Sequence, residues 1–266
     1  MSCSEWRDPL ARWSTACLLA MPGASGAQAA LPCTLAAHGV AELRVQGSVA
    51  SLPQSLGDCR SAVVARGTVV ACIAGDAGLP SCRAFGPGQT IDLRGPAPQA
   101  AESVLGGLQR VLRALPGQPQ SLPRGAETLL PSKVVLLLDD VVRVDFAEAD
   151  MQDIEAVEFR RDGIDGPVAA RIERGPGPAS TPGEAFVAGR FYWAVPIPGG
   201  RPYQAPRRFS VAPEPERQAA MDRLRVFDQQ QAGPLATAMM RAAWLAQQNY
   251  DYDALATMKA VGLRTR

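Results

Sequence analysis

The chain has 266 residues, with 27 basic and 26 acidic side chains and a formal net charge of +1. That balance excludes a global electrostatic pull toward nucleic acid or an anionic membrane. Gly and Pro, 25 and 23 residues, imply many turns without reaching the share of a disordered chain, and the length suits two domains.

The first 29 residues read as an export signal. Arg7 and Arg12 lie at the front, offset by Glu5 and Asp8. The apolar run WSTACLLAM follows (13–21), Pro22-Gly23 breaks it, and Ala27-Gln28-Ala29 forms a small-x-small exit. The run is about half the roughly 20 residues that span a bilayer. The competing reading is an amphipathic N-terminal helix that stays attached. Cleavage after Ala29 removes Cys3 and Cys17 and leaves 237 residues. No later segment holds 18 unbroken apolar residues, so no membrane span is expected.

Four cysteines remain, Cys33, Cys59, Cys72 and Cys82, and an even, clustered count in an exported chain reads as disulfides. Four cysteines allow three pairings. Cys72–Cys82 is favoured, because residues 69–73 and 81–85 make two short strands across Gly75-Asp76-Ala77-Gly78, and facing strand residues suit a bridge. Cys33–Cys59 is then left to staple the new N-terminus. The spacings do not fit zinc, His38 is the single histidine, and no C-x-x-C redox pair is present. No cofactor and no metal are expected.

Residues 30–97 read as a small disulfide-stapled β domain, an antiparallel sandwich or barrel. Strands are expected at 40–45, 61–66, 67–74 and 88–93. In 98–125 an amphipathic helix over 100–115 (Ala101, Val104, Leu105, Leu108, Val111, Leu112, Leu115) precedes a Pro-rich linker. Residues 126–213 return to strand patterning, at 133–138, 141–146, 156–161, 168–172, 189–195 and 208–211. Six or seven strands in that span match an immunoglobulin-like sandwich, with the Trp193 strand supplying the core aromatic. Tyr192 and Trp193 must face opposite sides of their strand.

Residues 214–266 read as helical. Ala220, Leu224 and Phe227 share one face. A second helix starts at Pro234, with Leu235, Met239, Ala242 and Leu245 facing inward. A third follows a tight turn over 249–253, with Asp251 as N-cap and Gly262 as stop. The fold class is therefore mainly β with a C-terminal α portion: a stapled β domain, an Ig-like sandwich and a helical hairpin docked on it.

Two resemblances follow from quoted residues. AGRFYWAV (188–195) with the closing FSV (209–211), behind a small β domain, resembles exported bacterial FecR-like domain proteins. AAWLAQQNYDYDAL (242–255) is similar to one tetratricopeptide hairpin. Together they imply scaffolding or regulation at the cell envelope and transfer no catalytic residue.

A single histidine leaves no parts for a Ser-His-Asp or Cys-His system, and His38 reads as a surface or turn residue. Asp139, Asp140, Asp145, Glu148, Asp150, Asp153 and Glu155 crowd into one stretch. They form either a solvated edge or, as the second functional reading, a calcium- or carbohydrate-binding segment. Arg201, Tyr203, Arg207 and Arg208, together with Trp244, are the candidate partner-binding residues, since Arg and aromatic side chains anchor interfaces. The expected function is that of an exported, non-enzymatic interaction or accessory protein with a protein partner in the envelope, not nucleic acid.

Overall fold

The computed structural model describes residues 32–50, 52, 54–75, 79–93, 130–146, 151, 153–175, 179–198 and 205–262. The expected signal of 1–29, the helix of 100–115 and its linker lie outside them. The protein is mainly β, with three helices at the C-terminal end and two disulfides in the N-terminal β region.

The N-terminal unit is one antiparallel sheet. Its strands are β1 (Cys33–Val45), β2 (Ser48–Ala50), β3 (Gln54–Leu56), β4 (Ala62–Ala74) and β5 (Pro80–Phe85). β1 pairs with β4 along most of its length, β2 and β3 share its other edge, and β5 extends the sheet beyond β4. The strands expected at 61–66 and 67–74 are thus one strand, bent at Gly67. There the backbone has φ +74°, and a Cβ would stand 2.2 Å from the Val40 carbonyl oxygen. The β1–β4 register shifts opposite, between His38 and Leu43, so the glycine accommodates a bulge. The strand expected at 88–93 is absent. A bridge from Val63 to Thr90 and backbone hydrogen bonds from Gly88, Ile91 and Val64 hold that segment along β4, and it buries Ile91 and Leu93 against the sheet.

Both faces of β4 are covered, which explains its unbroken apolar run Val69–Ala74. Leu35, Val69, Ala71 and Ile73 point into a core of their own with Phe85, Ile91 and the Cys33–Cys59 bridge. Ala36, Val70, Cys72 and Cys82 point to the opposite side and join a core shared with the rest of the molecule. Cys72 and Cys82 are register partners on β4 and β5 and are bonded to each other. His38 lies on β1 opposite Thr68 and is exposed.

The second unit is a two-sheet β sandwich. Its strands are β6 (Lys133–Val135), β7 (Val141–Val144), β8 (Ala156–Arg161), β9 (Val168–Glu173), β10 (Ala179–Pro182), β11 (Phe191–Ile197) and β12 (Arg207–Val211). One sheet runs β6-β12-β11-β8-β9, with β6 parallel to β12, and β10 pairs with β7 in the other. The core aromatic of β11 is Tyr192, fully buried, while Trp193 is half-buried on the opposite face. Tyr192 stacks on Phe209 at 5.6 Å and meets Phe186 edge-on at 5.1 Å. Its hydroxyl accepts a hydrogen bond from the Val187 amide at 2.6 Å, closing a tyrosine corner. Tyrosine is favoured inward because its hydroxyl finds that donor.

Three helices follow: α1 (Glu214–Asp228), α2 (Pro234–Gln247) and α3 (Asp251–Ala260). Pro234 is a first-turn proline of α2, and Gly262 follows α3 with φ +69°. The N-cap of α3 is Tyr250, without a side-chain cap; Asp251 instead is helical and binds Lys133 at 2.8 Å. The hairpin does not dock on the sandwich alone. α2 packs against β4 and β5 of the N-terminal unit, and α3 reaches β6 of the sandwich. Eight buried residues on α2, mostly Ala and Met, explain the fit: small side chains let a helix sit close to a sheet.

Candidate interaction face

The alternation of β8, β11 and β12 sends Phe159, Tyr192 and Phe209 inward and their neighbours outward. Strand register then lines up the outward residues. Trp193 faces Arg208 on one side and Arg160 on the other, and Arg160 faces Val168. A cross-sheet row Arg208–Trp193–Arg160–Val168 results. Phe191, two residues before Trp193, is 54% exposed, and the Arg208 guanidinium lies 4.0 Å from its ring centroid.

The adjacent row is Val195–Glu158–Arg171. Glu158 is only 8% exposed and carries two arginines. Arg160 donates to Oε2 at 2.9 and 2.5 Å, and Arg171 donates to Oε1 at 2.7 Å. The Arg160 hydrogen bond, more than Arg171, holds the Glu158 carboxyl below its ordinary range, against the opposing effect of burial. The network fixes the Arg160 guanidinium on the strand next to Trp193 and the Arg171 guanidinium on the strand beyond it.

Of the residues singled out in the sequence, Arg208 belongs to this face. Arg207 pairs with Ala194, one position out of step, and is half-buried. Arg201 and Tyr203 lie outside the described residues. Trp244 is on α2 and packs half-buried against the shared core, so it belongs to another part of the molecule. Phe191, Trp193 and Arg160 were not among the sequence candidates. Their signal was the strand alternation around Tyr192, which needed the neighbouring strands to become a surface.

Three carboxylates of the acidic stretch are in ion pairs. Asp139 binds Arg143 at 2.6 Å, Asp140 binds Arg217 of α1 at 2.7 Å, and Asp145 lies 3.4 Å from Lys259 of α3. Two of these three pairs tie the sandwich to the helices. Glu148 and Asp150 lie outside the described residues. Among the described residues, no three His, Cys, Asp or Glu side chains converge.

Asp253 of α3, which the sequence reading placed in a turn, makes the strongest of these ties. It is almost fully buried, and its two oxygens accept from the Leu136 and Leu137 amides at 2.8 and 2.9 Å. Those amides are thereby lost to the sheet, so the apolar run expected as a strand over 133–138 ends at Val135. Burial raises the Asp253 carboxyl to about 6, while the amide hydrogen bonds pull it the other way. Beside it, the Tyr252 hydroxyl accepts from the Arg143 amide at 2.8 Å.

A cleft of about 370 Å³ opens where this junction meets the first turns of α2. Leu138 and Arg143 of the sandwich, Arg241 of α2, Asp228 of α1 and Ala256 of α3 line it. Among the described residues, no helix is long and apolar enough to cross a membrane. Comparison with protein-family models, with curated proteins and with solved structures gives no match.

Proposed function

We propose that this chain is an exported, non-enzymatic interaction protein of the bacterial envelope, released into the periplasm or beyond after cleavage near Ala29. It grips a protein partner with the outer face of the β6-β12-β11-β8-β9 sheet of the sandwich. The observation that carries this reading is the exposed Phe191 and half-buried Trp193, held between Arg208 and Arg160. Aromatic and arginine side chains are enriched at protein interfaces, and pre-ordered ones lose little entropy on binding. Two disulfides suit an oxidising compartment. The FecR-like resemblance of 188–195 and 209–211 and the tetratricopeptide-like hairpin of 242–255 support an accessory or scaffolding role there.

The test is site-directed photo-cross-linking from position 210, the outward residue beside Phe191, in the envelope fraction of a producing bacterium. A discrete cross-linked protein is expected. Its yield should fall about tenfold or more in Trp193→Ala and Arg208→Glu, in line with a central interface anchor. A cross-link indifferent to both substitutions would remove this face from the function. Intact mass of the exported protein, with and without reduction, tests the address: loss of residues 1–29 and four thiols freed only by reduction are expected.

A further inference from the structure

The charges on the outer face of the β6-β12-β11-β8-β9 sheet are not equally committed. Glu158 is shared by Arg160 and Arg171, and Arg171 also reaches Glu173 at 3.3 Å. Arg160 donates in addition to the Ile164 carbonyl at 3.0 Å. Arg160 and Arg171 are thus balanced within the face by Glu158 and Glu173. Arg208 differs. It is exposed, its guanidinium lies over the Phe191 ring at 4.0 Å, and among the described residues it has no ion pair or hydrogen bond. A guanidinium held over a ring has little freedom left to lose, and its N–H edge can still take a planar anion in a fork. Next to it lie apolar groups: exposed Phe191, half-buried Trp193, exposed Val168 opposite Arg160, and exposed Ile164 in the turn after β8.

We propose that this face selects a linear protein segment presenting a carboxylate side chain close to an aromatic or branched aliphatic one. The carboxylate sits on Arg208, and the apolar side chain lies beyond Trp193 toward Val168. The inference rests on the reading of this face as an interface and adds what kind of partner it takes. Charge complementarity carries it. Among the described outward residues of these strands, the one uncommitted charge is positive. A basic segment would be repelled there, and a neutral one would cover Arg208 without giving it a partner. Spacing agrees. Same-side residues of an extended segment stand about 7 Å apart, between one and two strand spacings of about 4.8 Å. A segment laid across the strands with its acid on Arg208 therefore brings the residue two positions on past Trp193.

The test uses the purified, oxidised protein, immobilised, and a phage-displayed library of random linear peptides. Peptides retained by the protein and lost on Trp193→Ala should carry Asp or Glu next to, or two positions from, an aromatic or branched aliphatic residue. If Trp193→Ala does not fold, Phe191→Ala, which removes an exposed ring, takes its place. For a selected peptide, Arg208→Gln should weaken binding about tenfold or more, and so should exchange of the peptide's acid for its amide. The two changes together should cost no more than either alone, the signature of a direct pair. Trp193-dependent peptides without such an acid, or additive losses in the combined change, would overturn the carboxylate partner while the face remained an interface. Failure to select any Trp193-dependent peptide would remove both. Binding of polygalacturonate through Trp193 and Arg208, with no peptide selected, would assign the face to an acidic glycan and overturn the proposal.

Discussion

The two β units hold themselves together differently. The N-terminal sheet is largely aliphatic inside, with Leu35, Leu43, Val64, Val69, Ile73 and Ile91 around a single buried Phe85, and two disulfides cross-link it. The sandwich is built around four aromatic rings, Phe159, Phe186, Tyr192 and Phe209, and its corner is tied by a hydroxyl rather than a sulfur bridge. A small unit has too little interior to offset chain entropy by burial alone, and cross-links reduce the entropy of its unfolded state. A larger two-layer unit can rely on aromatic area and ring contacts. The helices pack the Ala36, Val70, Cys72 and Cys82 face of the N-terminal sheet into the sandwich's core, so each unit also stabilises the other.

Breaking the aromatic core should have the largest effect. Phe159→Ala removes a ring that touches both Phe186 and Phe209, and a loss of about 4 kcal/mol is expected from the cavity it leaves. Chemical denaturation followed by near-ultraviolet circular dichroism measures it. A loss below about 1 kcal/mol would mean that the sandwich interior collapses easily around the gap.

Removing the Cys33–Cys59 bridge by double serine substitution comes next. It closes 26 residues of chain, for which loop entropy predicts about 3.5 kcal/mol. The Cys72–Cys82 bridge spans 10 and should cost less. If the shorter bridge proved the more important, packing under α2 rather than chain entropy would be its main contribution.

The joint between the units gives a pH-dependent prediction. Asp253 has its carboxyl raised from 3.8 to about 6, so the folded state binds its proton more tightly than the unfolded chain does. This contribution is fully present below pH 4 and is lost as pH rises through 6, an effect of at most about 3 kcal/mol. Glu158 has the opposite sign: its carboxyl is lowered, so its contribution is lost as pH falls below the ordinary glutamate range. Urea midpoints between pH 3 and 8 should therefore show two opposed slopes, and Asp253→Asn should flatten only the upper one. An upper slope that survives in Asp253→Asn would assign it to another group.

Tyr192→Phe is the mildest test. It deletes the hydroxyl bonded to the Val187 amide and keeps the ring, so about 1 kcal/mol should be lost. A much larger loss would show that the corner organises the sandwich beyond its one hydrogen bond.

Much of the architecture is written in local patterns. Alternation with period two marked the strands, the spacing of Ala220, Leu224 and Phe227 marked α1, and Pro234 and Gly262 marked where helices begin and end. The turn-flanked pair Cys72 and Cys82 is also local, ten residues apart on adjoining strands. These features follow from backbone geometry within a few residues, so a sequence displays them directly.

Only the tertiary structure decided the rest. Alternation said that Tyr192 and Trp193 face opposite ways, but the Val187 amide selected which one is buried. Period-two patterning could not say that 61–66 and 67–74 are one strand, because the bulge at Gly67 answers to β1 across the sheet. Asp251 and Asp253 look alike in sequence. One meets Lys133 at the surface, and the other is buried against amides more than a hundred residues away. The row Arg208–Trp193–Arg160 comes from three strands of the sandwich, and the cleft from three helices, a turn and β7. Strand pairing, register and helix docking are non-local: they depend on which surfaces meet once the chain is compact, and no window along the sequence contains both partners.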